Sequence, residues 1–234
     1  MTWDWQVFLQ DTGGDQTYLE WMISAWGWTL SVAILALVVA LFTGSLMGIL
    51  RTTPHKWLVW LGNAWTELFR NIPLLVQIFL WYHVIPGIYK PLQAFPSFIL
   101  VVFALGFFTS ARISEQVKAG IESLPRGQRY AGLAMGLTLP QTYRYVLLPM
   151  AFRIVIPPLT SESMNIIKNS SVAFAVSIAE LTMFAMQAQE ETSRGVEIYL
   201  VVTLLYFVSA FAINRIALFI EHRVQVPGMI GGGK

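Results

Sequence analysis

The chain contains no cysteine, which removes disulfides, thiolate metal sites and cysteine nucleophiles from consideration. It is also poor in charge. Only 12% of its 234 residues are Asp, Glu, Lys or Arg, about half the ~25% usual in soluble globular domains. The three histidines, His55, His83 and His222, sit far apart on different segments, so no metal cluster is suggested. No paired carboxylates stand at a spacing useful for acid–base work, and no catalytic residue is expected. There is no long basic run and the net charge is only +2, which argues against nucleic acid as a partner. The first residues lack the basic start of a cleaved secretory signal and carry Asp4, Asp11, Asp15 and Glu20 instead. A retained first helix is the expectation.

What the chain does hold is apolar surface. Hydrophobic residues make up 56% of it, with 9 Trp, 8 Tyr and 15 Phe, and the mean hydropathy is +0.59. Most of such a chain belongs in lipid, with aromatic side chains at the two interfaces. A spanning helix needs about 20 mostly apolar residues. Residues 21–50 contain no Asp, Glu, Lys or Arg and form the clearest span. A second stretch runs from Trp57 to Pro86, is interrupted at Arg70-Asn71-Ile72-Pro73, and begins with a candidate interfacial lead-in, 57–69. A third covers Phe95 to Ala111. A fourth starts near Met150, carries Glu162 and Lys168, and is expected to kink or break at Pro157-Pro158, where two backbone donors are lost. A fifth covers Ile198 to Asn214. Residues 170–189 are apolar around Glu180 and read as a short helix sunk in the membrane, with a sixth span as the rival.

The distribution of Lys and Arg sets the expected orientation. With five spans, Arg51, Lys56, Arg70, Arg112, Lys118, Arg126, Arg129, Arg144, Arg153, Arg215, Arg223 and Lys234 share one side, leaving Lys90 and Arg194 on the other. The fold expected is therefore an all-α polytopic membrane protein of five transmembrane helices, with the N-terminus periplasmic and the C-terminus cytoplasmic. Residues 1–22 would form a periplasmic segment, 23–220 the membrane domain and 221–234 a cytoplasmic tail. Gly228, Gly233 and Lys234 in that tail imitate the start of a phosphate loop, but the Ser/Thr and the preceding strand are missing. Gly44 and Gly48 give the small-residue spacing of close helix contact. Glu67 and Arg70, three apart, read as a helix-surface pair.

The longest polar stretch, 112–149, lies on the basic side and has the pattern of ordered structure. Pro125 precedes a helix start at Arg126, Gly136 can end that helix in a left-handed cap, and Thr138 can cap a second helix running through Pro140 to Pro149. Two short helices with small residues on one side can dock in a groove of a soluble partner. An ordinary structured loop is the alternative.

Here the residues resemble a family. Tyr130-Ala131-Gly132, then Gly136, then Leu148-Pro149 after the family's spacing resemble the EAA coupling loop of binding-protein-dependent ABC importers. Tyr130 stands where the family usually has an acidic residue and Gly132 where it has a second alanine. Residues 67–77 (ELFRNIPLLVQ) and 165–171 (NIIKNSS) resemble the second- and fourth-span motifs of polar amino acid permeases. The resemblance covers nearly the whole chain. It implies a type I permease subunit in a bacterial inner membrane, importing an amino acid, glutamate or aspartate. It implies a second homologous permease, a periplasmic solute-binding protein, and separate ATPase subunits that use ATP and Mg, with no cofactor or metal bound by this chain. The coupling residues it implies are Arg126, Arg129, Tyr130, Ala131, Gly132, Gly136, Pro140, Leu148 and Pro149.

Charges inside the bilayer cost about 2.5–3.5 kcal/mol on insertion scales and face protein or water. Ser161, Asn165 and Lys168 share one helical face, with Glu162 at its edge. A cation with amide and hydroxyl neighbours can hold a substrate carboxylate. Equally, Lys168 can be structural, snorkelling to the interface or pairing with Glu162 or Glu180. A secondary transporter or channel working without an ATPase remains the alternative function, although no inverted repeat is evident.

Overall fold

The computed structural model describes residues 3–224. Within them the chain is helical. A short 3-10 turn, Trp5–Leu9, precedes α1 (Tyr18–Leu50), α2 (Lys56–Asn71), α3 (Leu74–Ile88), α4 (Ser97–Glu122), α5 (Arg126–Ala134), α6 (Leu139–Thr142), α7 (Leu148–Ser170), α8 (Leu181–Thr192) and α9 (Gly195–Val224). Helices α1, α4 and α9 are each long and apolar enough to cross a membrane, and the count is up to five if each of two bent pairs is one crossing. The five apolar runs of the sequence correspond to these three helices and two bent pairs, and residues 181–192 form the second arm of the later pair.

Thr17 starts α1 with a capping box, its side chain accepting from the Glu20 N–H while the Glu20 carboxylate accepts from the Thr17 N–H. The helix is apolar all round, and only 33% of its most apolar window is covered by the rest of the chain. Phe42 on α1 and Phe207, Phe211 and Phe219 on α9 point away from the bundle, as a lipid-facing surface requires. The inner face of α1 is built from small residues, Ala33, Ala36, Ala40, Gly44 and Gly48. They let α4 approach so closely that a Cβ on Gly44 would lie 2.7 Å from the Ser110 carbonyl oxygen. Helix contact in lipid comes from this kind of packing.

The pair α2–α3 bends by 104° at the sequence's interruption. Ile72 is extended (φ −96°, ψ 128°) because the next residue is Pro73. The break strands carbonyls inside the protein. Buried Gln77 repairs it, its Nε2 donating to the oxygens of Phe69 (2.7 Å) and Ile72 (2.8 Å).

Two expectations are corrected. Helix α4 runs on to Glu122, so residues 112–122 belong to it and not to the loop. Ile113, Ser114, Val117, Gly120 and Ile121 are buried there, and that stripe keeps the helix packed after its composition turns polar. Of the kink or break expected at Pro157-Pro158, the break does not occur: helix α7 continues through both prolines, since packed neighbours in a membrane protein tolerate the two lost bonds. The break comes later. Ser171–Val176 tighten into a 3-10 turn, Ser177 is left-handed (φ 61°), and α8 leaves at 54° to the preceding helix.

Helix α8 starts inside the bundle. Fully buried Glu180 caps it, accepting from the N–H groups of Thr182 (2.9 Å) and Met183 (3.0 Å) and from the Tyr206 hydroxyl (2.6 Å). The Leu181 N–H donates to Thr29 on α1. Thr29 and Tyr206 both lie roughly 17 Å along their helices at 1.5 Å per residue, so the α7–α8 corner packs against the interior of α1 and α9, away from their ends. At the opposite end of α8, Glu191 accepts from the Tyr18 hydroxyl, and Arg194 pairs with Asp4 at 3.5 Å. The tail expected at 221–234 is helical through Val224. Gly228, Gly233 and Lys234 lie outside the described residues.

Candidate functional site

The ordered loop after α4 is built by local rules. Pro125 precedes α5. The helix ends at Gly136 (φ +83°), where the Leu137 N–H reaches back to the Gly132 oxygen (3.2 Å) and the Gly136 N–H to Leu133 (3.0 Å). This is a Schellman cap, and the positive φ favours glycine although the space around it is open. Thr138 then opens α6 with a second capping box, paired with Gln141. Pro140 sits in the first turn of α6, where a missing N–H is harmless.

The second helix does not stop at Pro149, as its sequence suggests. Tyr143–Leu147 widen into a π turn, the Leu148 N–H bonding Tyr143, five residues back, and α7 follows without a gap. A proline ring clashes with the carbonyl four residues before it, and the wider turn makes room. The same device recurs in α3, where the Ile85 N–H bonds Leu80 just before Pro86. The loop is therefore continuous with a span: residues 139–170 form one uninterrupted helical rod of roughly 48 Å.

The two arms of the loop touch through Gly132, whose added Cβ would lie 2.8 Å from Thr142 Cγ2. Tyr143 ties the rod to the end of α1, its hydroxyl donating to the Thr52 carbonyl at 2.7 Å. Tyr130, Leu133, Met135 and Tyr145 are exposed, leaving an apolar surface on the outside of the loop. Ala131 is exposed beside them, and Arg126 and Arg129 stand at the start of α5.

At the other end of the rod lie the intramembrane candidates. Ser161 and Lys168 are exposed and Asn165 is half-buried, so the chain leaves this stripe of α7 uncovered. Among the described residues Lys168 makes no ion pair. Its two candidate partners are engaged elsewhere: Glu180 caps α8, and Glu162 is buried against α4. Glu162 accepts from Arg112 (3.4 Å) and Gln116 (3.3 Å). Glu162 thus turns away from the stripe that holds Ser161, Asn165 and Lys168.

Sequence reasoning missed the polar knot at the loop end of the bundle. Arg51, almost fully buried, donates to Asn63 (2.8 Å), Ser114 (3.2 Å) and Glu115 (2.9 Å). Arg70 reaches Glu115 (3.4 Å) as well as the expected Glu67 (3.2 Å). Arg51 and Glu115 are 64 positions apart, and no local spacing signals a contact of that range. Among the described residues no group of His, Asp or Glu can hold a metal ion.

Comparison with known proteins adds the following. Residues 40–226 match the family of binding-protein-dependent transport system inner membrane components. The chain is 43% identical to the glutamate/aspartate import permease protein GltJ of Escherichia coli K12, over 98% of both chains. It is 27% identical to the glutamate/aspartate import permease protein GltK of Escherichia coli O6:H1, over 83% of this chain and 89% of that one. A solved amino acid ABC transporter with histidines superposes with a TM-score of 0.79 at 28% identity, covering 95% of this chain and all of that one.

Proposed function

The chain belongs to the family of binding-protein-dependent transport system inner membrane components, and from that premise we propose that it is the permease subunit of an ATP-driven importer of acidic amino acids, glutamate or aspartate. The observation that carries the proposal is the continuous rod. Its 139–147 end forms half of an exposed loop, and its 161–168 face presents hydroxyl, amide and ammonium groups that the chain leaves uncovered. A rigid element with a docking surface at one end and a polar path at the other is a lever. An ATPase subunit bound to Tyr130, Leu133 and Met135 moves the rod, and ATP favours whichever access state gives it better contacts.

The basic end of the bundle, with Arg51, Arg126 and Arg129, is cytoplasmic in this reading. The segment with Asp4, Tyr18 and Glu191 is periplasmic and meets a binding protein. The stripe Ser161–Asn165–Lys168 cannot face hydrocarbon cheaply. A second permease seats over α7 and encloses the path between the two chains, and similarity to both GltJ and GltK supports such a homologous pair. Lys168 then meets the substrate side-chain or α-carboxylate by a charge-assisted hydrogen bond. Hydrolysis of ATP with Mg belongs to the partner.

The experiment is uptake of labelled glutamate into proteoliposomes holding this chain with its partner subunits and binding protein. Uptake is expected to need ATP, to yield to unlabelled aspartate before glutamine, arginine or histidine, and to fall in Lys168→Met with assembly intact. Uptake without an ATPase refutes the importer reading. Preferred competition by another amino acid changes the substrate alone, and full uptake by Lys168→Met removes Lys168 from the path.

A further inference from the structure

At the foot of the bundle the ends of α1 and α4, the start of α5 and the π turn enclose a cleft of about 450 Å³. Three guanidinium-bearing side chains line it, Arg51, Arg126 and Arg129, together with Tyr143 and an apolar floor that includes Ile121. One carboxylate, Glu122, is also in the wall, and it takes Lys118 at 3.8 Å. Arg51 is held rigidly by Asn63, Ser114 and Glu115. Among the described residues Arg126 and Arg129 have no ion pair. The exposed apolar residues of the loop, Tyr130, Leu133 and Met135, do not line this cleft.

A cleft walled by one sign of charge focuses its potential and concentrates the opposite ion. Arg51 is already paired with Glu115 and Glu122 with Lys118, so the positive charge with no internal partner is that of Arg126 and Arg129. A guanidinium fork matches the oxygens of a phosphate group in geometry and charge. The volume falls in the range of small-ligand sites, roughly 300–1,000 Å³. Apolar α1 ends at Leu50, next to Arg51 of the cleft, and basic pockets between helices on that side of a membrane protein take anionic headgroups.

We propose that this cleft binds a phosphate-bearing anion, with Arg126 and Arg129 as its principal ligands and Arg51 as a fixed third charge. The oxygens accept from the guanidinium N–H groups, and the Tyr143 hydroxyl borders the site while bonded to Thr52. A glycerophosphate headgroup of the surrounding bilayer and a soluble phosphate supply the same chemistry. Occupancy would brace the start of α5 against α1 and α4.

The test uses the full chain purified with its co-purifying subunits, and reads binding, not uptake. One arm titrates inorganic phosphate into the detergent-solubilised protein. The other places the protein in nanodiscs of phosphatidylcholine with rising phosphatidylglycerol. Both follow the thermal unfolding midpoint and ³¹P NMR line width. A saturable response is expected in at least one arm, weakened about tenfold by Arg126→Gln or Arg129→Gln, a loss of about 1.4 kcal/mol. The conservative variants Arg126→Lys and Arg129→Lys are expected to keep part of it, and they serve as the reading if a glutamine variant fails to fold. A response to phosphate assigns a soluble anion, and a response to phosphatidylglycerol alone assigns the headgroup. No saturable response in either arm, or one that all four variants share with the parent, overturns the proposal.

Discussion

The contact between α1 and α4 makes a sharp prediction, because the same substitution at two glycines of α1 should have opposite signs. At Gly44 an alanine Cβ would sit 2.7 Å from Ile113 Cβ, 2.7 Å from the Ser110 oxygen and 2.8 Å from Ile113 Cγ2. Ordinary carbon contacts are roughly 3.5–4.0 Å, so the helices must part locally by about 1 Å. A backbone carbonyl and a β-branched stub cannot rotate aside. Overpacking of this kind costs about 1–3 kcal/mol. At Gly27, on the exposed side of the same helix, nothing lies within 4 Å, and Gly→Ala should stabilise by roughly 0.5–1 kcal/mol through backbone entropy. Both variants share that entropic gain, so their difference isolates the contact: about 1–3 kcal/mol in favour of Gly27→Ala. Equilibrium unfolding of the purified protein in detergent and urea, read by tryptophan fluorescence, measures it. Equal stability of the two variants would refute the reasoning, since it would show that α1 and α4 are not held at the observed separation.

Other outcomes follow from the polar contacts. Arg112→Met leaves Glu162, with its side chain 9% exposed, against Gln116 alone, and should cost about 3–5 kcal/mol; the double variant Arg112→Met/Glu162→Met should recover most of it in the same unfolding assay. Glu162→Gln should cost less, about 1–2 kcal/mol, because Arg112 is 41% exposed and finds other solvation. Gln77→Leu orphans the carbonyls of Phe69 and Ile72 at the α2–α3 break and should cost about 1–3 kcal/mol for each group left unsatisfied, visible as faster hydrogen exchange around residues 69–77. In the loop, Gly132→Ala presses on Thr142 Cγ2 and should lower uptake, and Thr142→Ser, which removes that methyl and keeps the hydroxyl bonded to Thr138, should restore it. Failure of the second change to rescue the first would place the effect outside this contact.

The membrane character, the apolar spans and the ordered loop were legible because each rests on local physics. Thirty residues without charge cannot stay in water as an exposed helix, so 21–50 announces a span. A proline, a glycine and a threonine at the right spacing dictate a start, a left-handed stop and a new cap, and Pro125, Gly136 and Thr138 do so here. The helix face of Ser161, Asn165 and Lys168 follows from 3.6 residues per turn alone. The loop's boundary was misjudged because composition turns polar at Arg112, whereas α4 ends where its packing ends, at Glu122.

What the tertiary structure alone decided is which partner each polar group meets. Glu162 and Lys168 look alike in the sequence as intramembrane charges, yet one is buried against Arg112 and the other stands open. Whether Pro157-Pro158 breaks a helix depends on the neighbours that pack around it, and whether Pro149 ends one depends on a widened turn five residues long. Arg51, Ser114 and Glu115 form a knot because α1, α2 and α4 converge. Periodicity along the chain fixes what each helix presents on each face. The choice of which faces meet is a sum of long-range contacts, and no window of sequence contains it.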